Sequence, residues 1–349
     1  MPGKPFQSKL LPYADEILAR LEAGGSYRQV AEILNRKHGL AVTHNAVFSF
    51  ANRRRKKQGR QLFYEGLSPD IREQLLKQVA ACWTHDSTAI EGNTLTLGET
   101  VKVLELGLTI RGKPLREHQE VYGHARAIDL IYRMLRQPAV TEEDLFALHR
   151  AVMDPSPLDV LNPVGNWKQS DNGTTGVVNG QITYKTYADP LDVPMLMKRW
   201  LAEFNRTLDA ARRPEAAIDA YVRAHMGFVR IHPFFDGNGR VARLIANIPV
   251  LRGGHPPIVV PKERRSDYIE LLWDYQNALG TIGRKSPLMP PHPAIKRFTD
   301  LLKEEWQCTL VLVEAARKRE DELQKVKNQV PLWLQPERTE AEKTCTQKH

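Results

Sequence analysis

Between residues 231 and 244 the chain reads Ile-His-Pro-Phe-Phe-Asp-Gly-Asn-Gly-Arg-Val-Ala-Arg-Leu. His232 supplies a base whose ordinary pKa lies near neutrality, as removal of a hydroxyl proton requires. Asp236 offers a hard oxygen to Mg2+, which normally binds through one or two carboxylates plus substrate phosphates. Gly237, Asn238 and Gly239 open a helix, where free backbone N–H groups and the positive end of the helix dipole make an anion seat that glycine lets phosphate oxygens approach. Arg240 and Arg243, three residues apart, share one helix face and can both reach a polyphosphate. A histidine base, a metal carboxylate, an anion seat and two guanidiniums within twelve residues specify phosphoryl or nucleotidyl transfer, which depends on positioning and charge neutralisation.

Those side chains need a helix on each side of the turn. The apolar period, with Tyr221, Met226, Phe228 and Val229 on the incoming side and Leu244, Ile245 and Ile248 on the outgoing side, predicts helices over 214–231 and 237–252. Further helices are expected over 70–90, 98–108, 116–135, 141–153, 193–205, 263–278 and 293–326. In 162–190 the pattern changes: Gly176-Val177-Val178 and Ile182-Thr183-Tyr184 flank Asn179-Gly180, a strong signal for a β-hairpin. The fold expected is all-α with one small hairpin, preceded by a separate three-helix module. The expected boundaries are a basic module over 1–60, a joint over 61–67, a helical body over 68–300, a C-terminal helix over 301–330 and a disordered tail over 331–349.

The 349 residues are 42% hydrophobic and 26% charged, globular proportions with no apolar run long enough to span a membrane. The polar start Met1-Pro2-Gly3-Lys4-Pro5 has no apolar core of signal-peptide length, and Cys82, Cys308 and Cys345 are too few and scattered for a disulfide framework or a zinc cluster. A cytoplasmic protein without membrane partners is expected. His85, His118, His124, His149 and His225 match no zinc spacing and read as structural or surface residues.

The formal charge of +9 is not spread evenly. Residues 1–60 hold twelve Lys and Arg against four acids, a net +8, so a basic module is joined to a body near neutrality. Apolar stripes place a first helix around Leu11–Leu21, a second after the cap Ser26, and a third after the cap Thr43 that buries Ala46, Val47 and Phe50. The third helix presents His44, Asn45, Ser49, Asn52 and Arg53 and runs into Arg54 and Arg55. This resembles the helix-turn-helix of small bacterial DNA-binding regulators, in which clustered cations meet phosphate while Asn, Ser and Arg address base edges. A protein-docking module or a solvated basic face are the competing readings.

The segment 232–243 also resembles, at every defined position, the signature of the Fic family, His-x-Phe-x-(Asp/Glu)-Gly-Asn-Gly-Arg-x-x-Arg. The resemblance implies a protein adenylyltransferase that moves AMP from ATP to a Ser, Thr or Tyr hydroxyl of a protein. It implies that His232 is the base, that Asp236 holds Mg2+, that Gly237, Asn238 and Gly239 form the anion hole, and that Arg240 and Arg243 clamp the β- and γ-phosphates. The hairpin region, about 163–188, is then the family's flap, with Val177, Val178, Ile182, Thr183 and Tyr184 aligning the target by strand addition. Gly165-Asn166-Trp167-Lys168 resembles the segment leading into the flap, with Lys168 where Arg is common. Tyr268 and Asn277 fall in the helix that borders the adenine in the family, or are an ordinary core tyrosine and a helix-end asparagine.

Ser87-Thr88-Ala89-Ile90-Glu91-Gly92-Asn93 places Ser87 and Glu91 one helical turn apart before a helix stop at Gly92. It resembles the family's inhibitory motif, (Ser/Thr)-x-x-x-Glu-(Gly/Asn), here expected in a helix over about 80–93, and implies that Glu91 pairs with Arg243 and withholds it from ATP. Removal of AMP, transfer of another nucleotide or phosphate group, and a DNA-binding regulator using the domain as an ATP-sensing switch are the alternatives. Family members are often dimers, which makes a homodimer a further expectation.

Overall fold

The computed structural model describes residues 8–22, 25–57, 62–154 and 162–329, with the side chains of residues 15, 22, 52–57 and 327–329 outside that description. The tail expected over 331–349 therefore lies outside the described residues. Three helices come first: α1 (Ala14–Glu22), entered through a 3-10 turn, α2 (Tyr27–His38) and α3 (His44–Lys57). Ser26 and Gln29 close a capping box on α2, and Gly39 ends that helix in the left-handed conformation at φ 64°. Thr43 accepts the Ala46 N–H at 3.2 Å and so caps α3. Asn35 bonds both backbone groups of Val42, which sets the turn between α2 and α3. Ile17, Val30, Leu34, Val47 and Phe50 form a core belonging to this module alone. His38, Lys37 and Arg20 surround Glu16 and hold its carboxyl at about 2, tying α1 to α2.

The body begins earlier than expected. Phe63 and Leu67, in the segment read as a joint, are buried in the main core, and Arg317 donates to the Phe63 carbonyl at 3.1 Å. Helices α4 (Pro69–Ile90), α5 (Leu97–Leu106), α6 (Leu115–Met134) and α7 (Glu142–Met153) follow. Strands β1 (Gly173–Val178) and β2 (Gln181–Thr186) pair antiparallel, with Val178 opposite Gln181 and Asn179-Gly180 at φ 51° and 78° in the two-residue turn. Then come α8 (Val193–Thr207), α9 (Pro214–Ile231), α10 (Asn238–Ile245), α11 (Asn247–Arg252), α12 (Arg265–Leu279), α13 (Pro293–Glu305) and α14 (Gln307–Gln329). Helix α9 is the axis of the body, buried from Ala220 to Ile231 except at Arg223, and packed by α8, α10, α11 and α13. Gly227 is where it meets the Trp200 indole, which donates to the Ala224 carbonyl at 3.1 Å.

Two expected helices are each broken once. The stretch read as one helix over 237–252 is interrupted at Ala246, because Pro249 has no N–H to give the turn before it. The stretch over 293–326 is interrupted at Trp306, whose indole reaches across to the Pro256 carbonyl at 3.1 Å. Helix α14 is not an appendage. It packs on α4, where Glu320 accepts the Ser68 N–H at 2.7 Å. No helix among the described residues is long and apolar enough to cross a membrane.

Candidate active site

Helix α9 stops at His232, which adopts φ 54° and donates its N–H to the Phe228 carbonyl at 2.9 Å. Pro233 cannot continue the helix. The turn that follows is fixed by side chains from three parts of the chain. Asn238 accepts the Phe234 N–H and donates to the Phe234 carbonyl, at 2.9 and 2.7 Å. Asn172 donates to the carbonyls of Phe234 and Phe235 at 2.8 and 3.1 Å. His149 donates from Nε2 to the Asp236 carbonyl at 3.0 Å, accepts the Gly165 N–H at Nδ1 at 2.9 Å, and stacks on the buried Phe234 ring at 3.8 Å. Burial holds His149 down to about 4, so it stays neutral and keeps that tautomer.

The His232 imidazole lies flat on Tyr187, with ring centres 3.7 Å apart. Its Nδ1–H donates to the Val229 carbonyl at 3.2 Å, which leaves the Nε2 lone pair free. Burial, reinforced by the Lys168 charge, lowers the imidazole to about 3. His232 is thus held in one orientation as a neutral imidazole.

Gly237, at φ 76°, turns the chain into α10, whose first N–H groups have no side-chain cap. The Glu91 carboxylate sits directly above this helix start: a Cβ on Gly239 would lie 2.5 Å from Glu91 Oε1. Arg243 donates to Glu91 at 2.7 Å, to the Ser87 hydroxyl at 3.1 Å, to the Ser87 carbonyl at 2.8 Å and to the Tyr268 hydroxyl at 3.4 Å. Burial pushes the Glu91 carboxyl up, and the Arg243 charge and hydrogen bond more than reverse this, leaving it below its ordinary value. Arg243 moves the opposite way, its burial outweighed by Glu91. Gly92, at φ 102°, lets the chain leave α4 immediately after that carboxylate.

Arg240 points elsewhere, to the Val152 carbonyl at 3.0 Å and Met153 Sδ at 3.2 Å, with Asp236 Oδ2 4.0 Å away. Asp236 Oδ1 accepts the Gly237 N–H at 2.6 Å. Its exposed carboxylate borders a cavity of about 470 Å³, lined also by Glu120, His149, Met153, Lys168 and Arg240. One carboxylate beside an anion seat fits a Mg2+ that binds together with phosphates, and no group of three or more metal-ligating side chains occurs among the described residues.

Tyr268, expected at the adenine or in the core, is buried beneath Arg243, with its hydroxyl 2.8 Å from His225 Nε2. Asn277 is half-buried near the end of α12. On the hairpin, Val177, Ile182 and Tyr184 are 65%, 80% and 58% exposed on one face, and Val178 and Thr183 are half-buried on the other. Trp273 of α12 lies against Gly176, where a Cβ would come within 2.1 Å of the indole. In α3, His44, Asn45 and Ser49 are exposed, while the side chains of Asn52, Arg53, Arg54 and Arg55 lie outside the described ones. The spacing of residues gave no sign of the parts played by His149, Asn172, Tyr187 and Trp273. Only Tyr187, an aromatic immediately beyond the hairpin, carried a local hint.

Residues 139–249 match the Fic/DOC family. The chain is 35% identical over 191 residues to the protein adenylyltransferase Fic of Drosophila grimshawi, an alignment covering 54% of this chain and 36% of that protein. It thus spans about a third of the length of the curated relatives it matches. Among solved structures it is similar to a Fic domain containing signaling protein from Bacteroides thetaiotaomicron, at 26% identity and TM-score 0.62, covering 73% of this chain and 93% of that one. Fic-1 (aa134–508) from C. elegans shares the fold, at 21% identity and TM-score 0.54, covering 89% and 100%.

Proposed function

We propose that this Fic/DOC domain is a protein adenylyltransferase, transferring AMP from ATP to a Ser, Thr or Tyr hydroxyl of a protein and held in check by Glu91. The observation that carries the reading is the free Nε2 lone pair of His232 beside an anion seat whose second arginine is already paired with an anion of the chain's own. The target hydroxyl oxygen attacks the α-phosphorus of ATP, His232 Nε2 takes its proton, and pyrophosphate leaves. The N–H groups at the start of α10 and Arg240 and Arg243 take up phosphate charge, and Gly237 and Gly239 let the oxygens approach. Asp236 would hold Mg2+, which when bound neutralises phosphate charge. The exposed hairpin face offers strand and side-chain contacts to the target.

Because Arg243 cannot bond Glu91 and a γ-phosphate with the same N–H groups, the ion pair acts as a brake. Incubation with α-labelled ATP tests both halves: Glu91→Gly should raise self- or target labelling by about tenfold or more, the scale of restoring one charge-stabilising donor. His232→Ala in the same background should lower it by about 10²–10⁴. Equal labelling by the parent chain and Glu91→Gly would remove the brake, and labelling with γ-labelled ATP alone would point to phosphate transfer.

The basic module supports a second reading, DNA binding through α3. Its exposed His44, Asn45 and Ser49 on a capped third helix, with Arg53, Arg54 and Arg55 following, suit a groove and its phosphates. A gel-mobility series should lose the shift in Asn45→Ala with Arg54→Ala, and weaken steeply with salt.

A further inference from the structure

Lysine is among the residues least often buried, yet Lys168 is 3% exposed. Its backbone N–H donates to the Pro233 carbonyl at 2.9 Å, and its ammonium donates to Asn172 Oδ1 at 2.5 Å. Asn172 spends its own N–H groups on the carbonyls of Phe234 and Phe235. Lys168 therefore grips the turn after His232 at one end directly and at the other through Asn172. Burial lowers its ammonium to about 8, opposed by the charges of Asp171 and Asp189. The imidazole of His232 meets the Tyr187 ring on one side and the Val229 carbonyl at Nδ1, and it feels Lys168 and Glu91 in opposite senses.

We propose that Lys168 is a positioning residue for His232, bracing the turn from Pro233 to Phe235 directly and through Asn172 and fixing a positive charge beside that turn. The proposal rests on His232 as the base, but it concerns the imidazole itself and can be read without any transfer. A charge beside the imidazole opposes a second one, so its removal lets the ring accept a proton at higher pH.

Ring-nitrogen NMR of the full chain at pH 4.5, with the His232 signal assigned by its loss in His232→Asn, measures the protonated fraction. Lys168→Met should raise that fraction about tenfold over the parent chain, the equivalent of a midpoint moved by one pH unit. Lys168→Arg, which keeps a charge, should match the parent. Should Lys168→Met not fold, Lys168→Gln carries the same expectation. Equal fractions in the parent and in the charge-free variant overturn the proposal. In the Glu91→Gly background, the ratio of AMP labelling at pH 4.5 to that at pH 7.5 should fall by about a fifth in Lys168→Met and recover in Lys168→Arg; a ratio unmoved by Lys168→Met also overturns it. Absence of labelling in every variant, with the NMR difference intact, would instead count against AMP transfer.

Discussion

The turn from His232 to Arg240 and the hairpin from Gly173 to Thr186 meet through Asn172 and Tyr187 but are built on opposite plans. In the turn, Asn172, Asn238 and His149 satisfy the backbone groups of Phe234 and the Asp236 carbonyl, and Phe234 is fully buried. The hairpin has only two strands, an arrangement that is marginal alone, and turns Val177, Ile182 and Tyr184 outward. It is held to α12 by Trp273 against Gly176 and by Gln276 bonding the Thr186 carbonyl at 2.9 Å. The turn is thus fixed by partners for its backbone groups, whereas one face of the hairpin is left open to solvent.

The largest expected effect is acid instability of the helical body that seats the turn, where His149 contacts the turn itself. His124, His149 and His225 are buried and held at about 3, 4 and 3, against an ordinary value of 6.5. The unfolded chain therefore binds protons below pH 6.5 that the folded chain refuses, so stability is complete above that value and falls as pH drops toward the folded values. Each imidazole contributes up to about 1.4 kcal/mol per pH unit, and urea titrations between pH 7 and 4.5 should show the slope. Removing one of the three with His225→Gln should flatten it. An unchanged slope in that variant would mean the buried imidazole is not the source.

Next in size is His149→Ala. It leaves the Asp236 carbonyl and the Gly165 N–H without their partner and strips the ring from Phe234, which should cost about 3 kcal/mol and lower AMP labelling with it. Loss of labelling without loss of stability would mean the turn is held less tightly than its bonds indicate. Gly176→Val should act on the other region, driving Trp273 and β1 apart. Target labelling is expected to fall about tenfold while ATP binding, read by calorimetry, persists. Smallest is Ile182→Ala on the exposed face: stability within about 0.5 kcal/mol and target labelling down a few-fold. A destabilisation above 1 kcal/mol there would show the hairpin to be as integral as the turn.

Much of the fold was legible because the apolar period is strong in 214–231 and 141–153 and because Ser26 and Thr43 cap their helices in the ordinary way. Asn179-Gly180 announced the hairpin by its backbone preference alone. What the period missed were interruptions with non-local or subtle causes, the indole of Trp306 reaching Pro256 and the absent N–H of Pro249. At the site, the groups in one run of twelve residues could be read directly, since a helix start and an i,i+3 pair determine their own geometry. The partners of that run come from 60 or more residues away in the case of Asn172 and 87 in the case of His149. No local spacing encodes such a meeting. Tyr268 illustrates the converse: its helix was read, but only tertiary packing decides that its hydroxyl serves Arg243 and His225.

The backbone of His232 carries one more implication. A φ of 54° is a conformation that glycine adopts freely and other residues only at a cost of about 1–2 kcal/mol. His232→Gly would relieve that strain while forfeiting the imidazole and its stack on Tyr187, so an inactive chain with an undiminished melting temperature is the natural result rather than a surprise. Backbone ease and side-chain contact are therefore opposed at this residue.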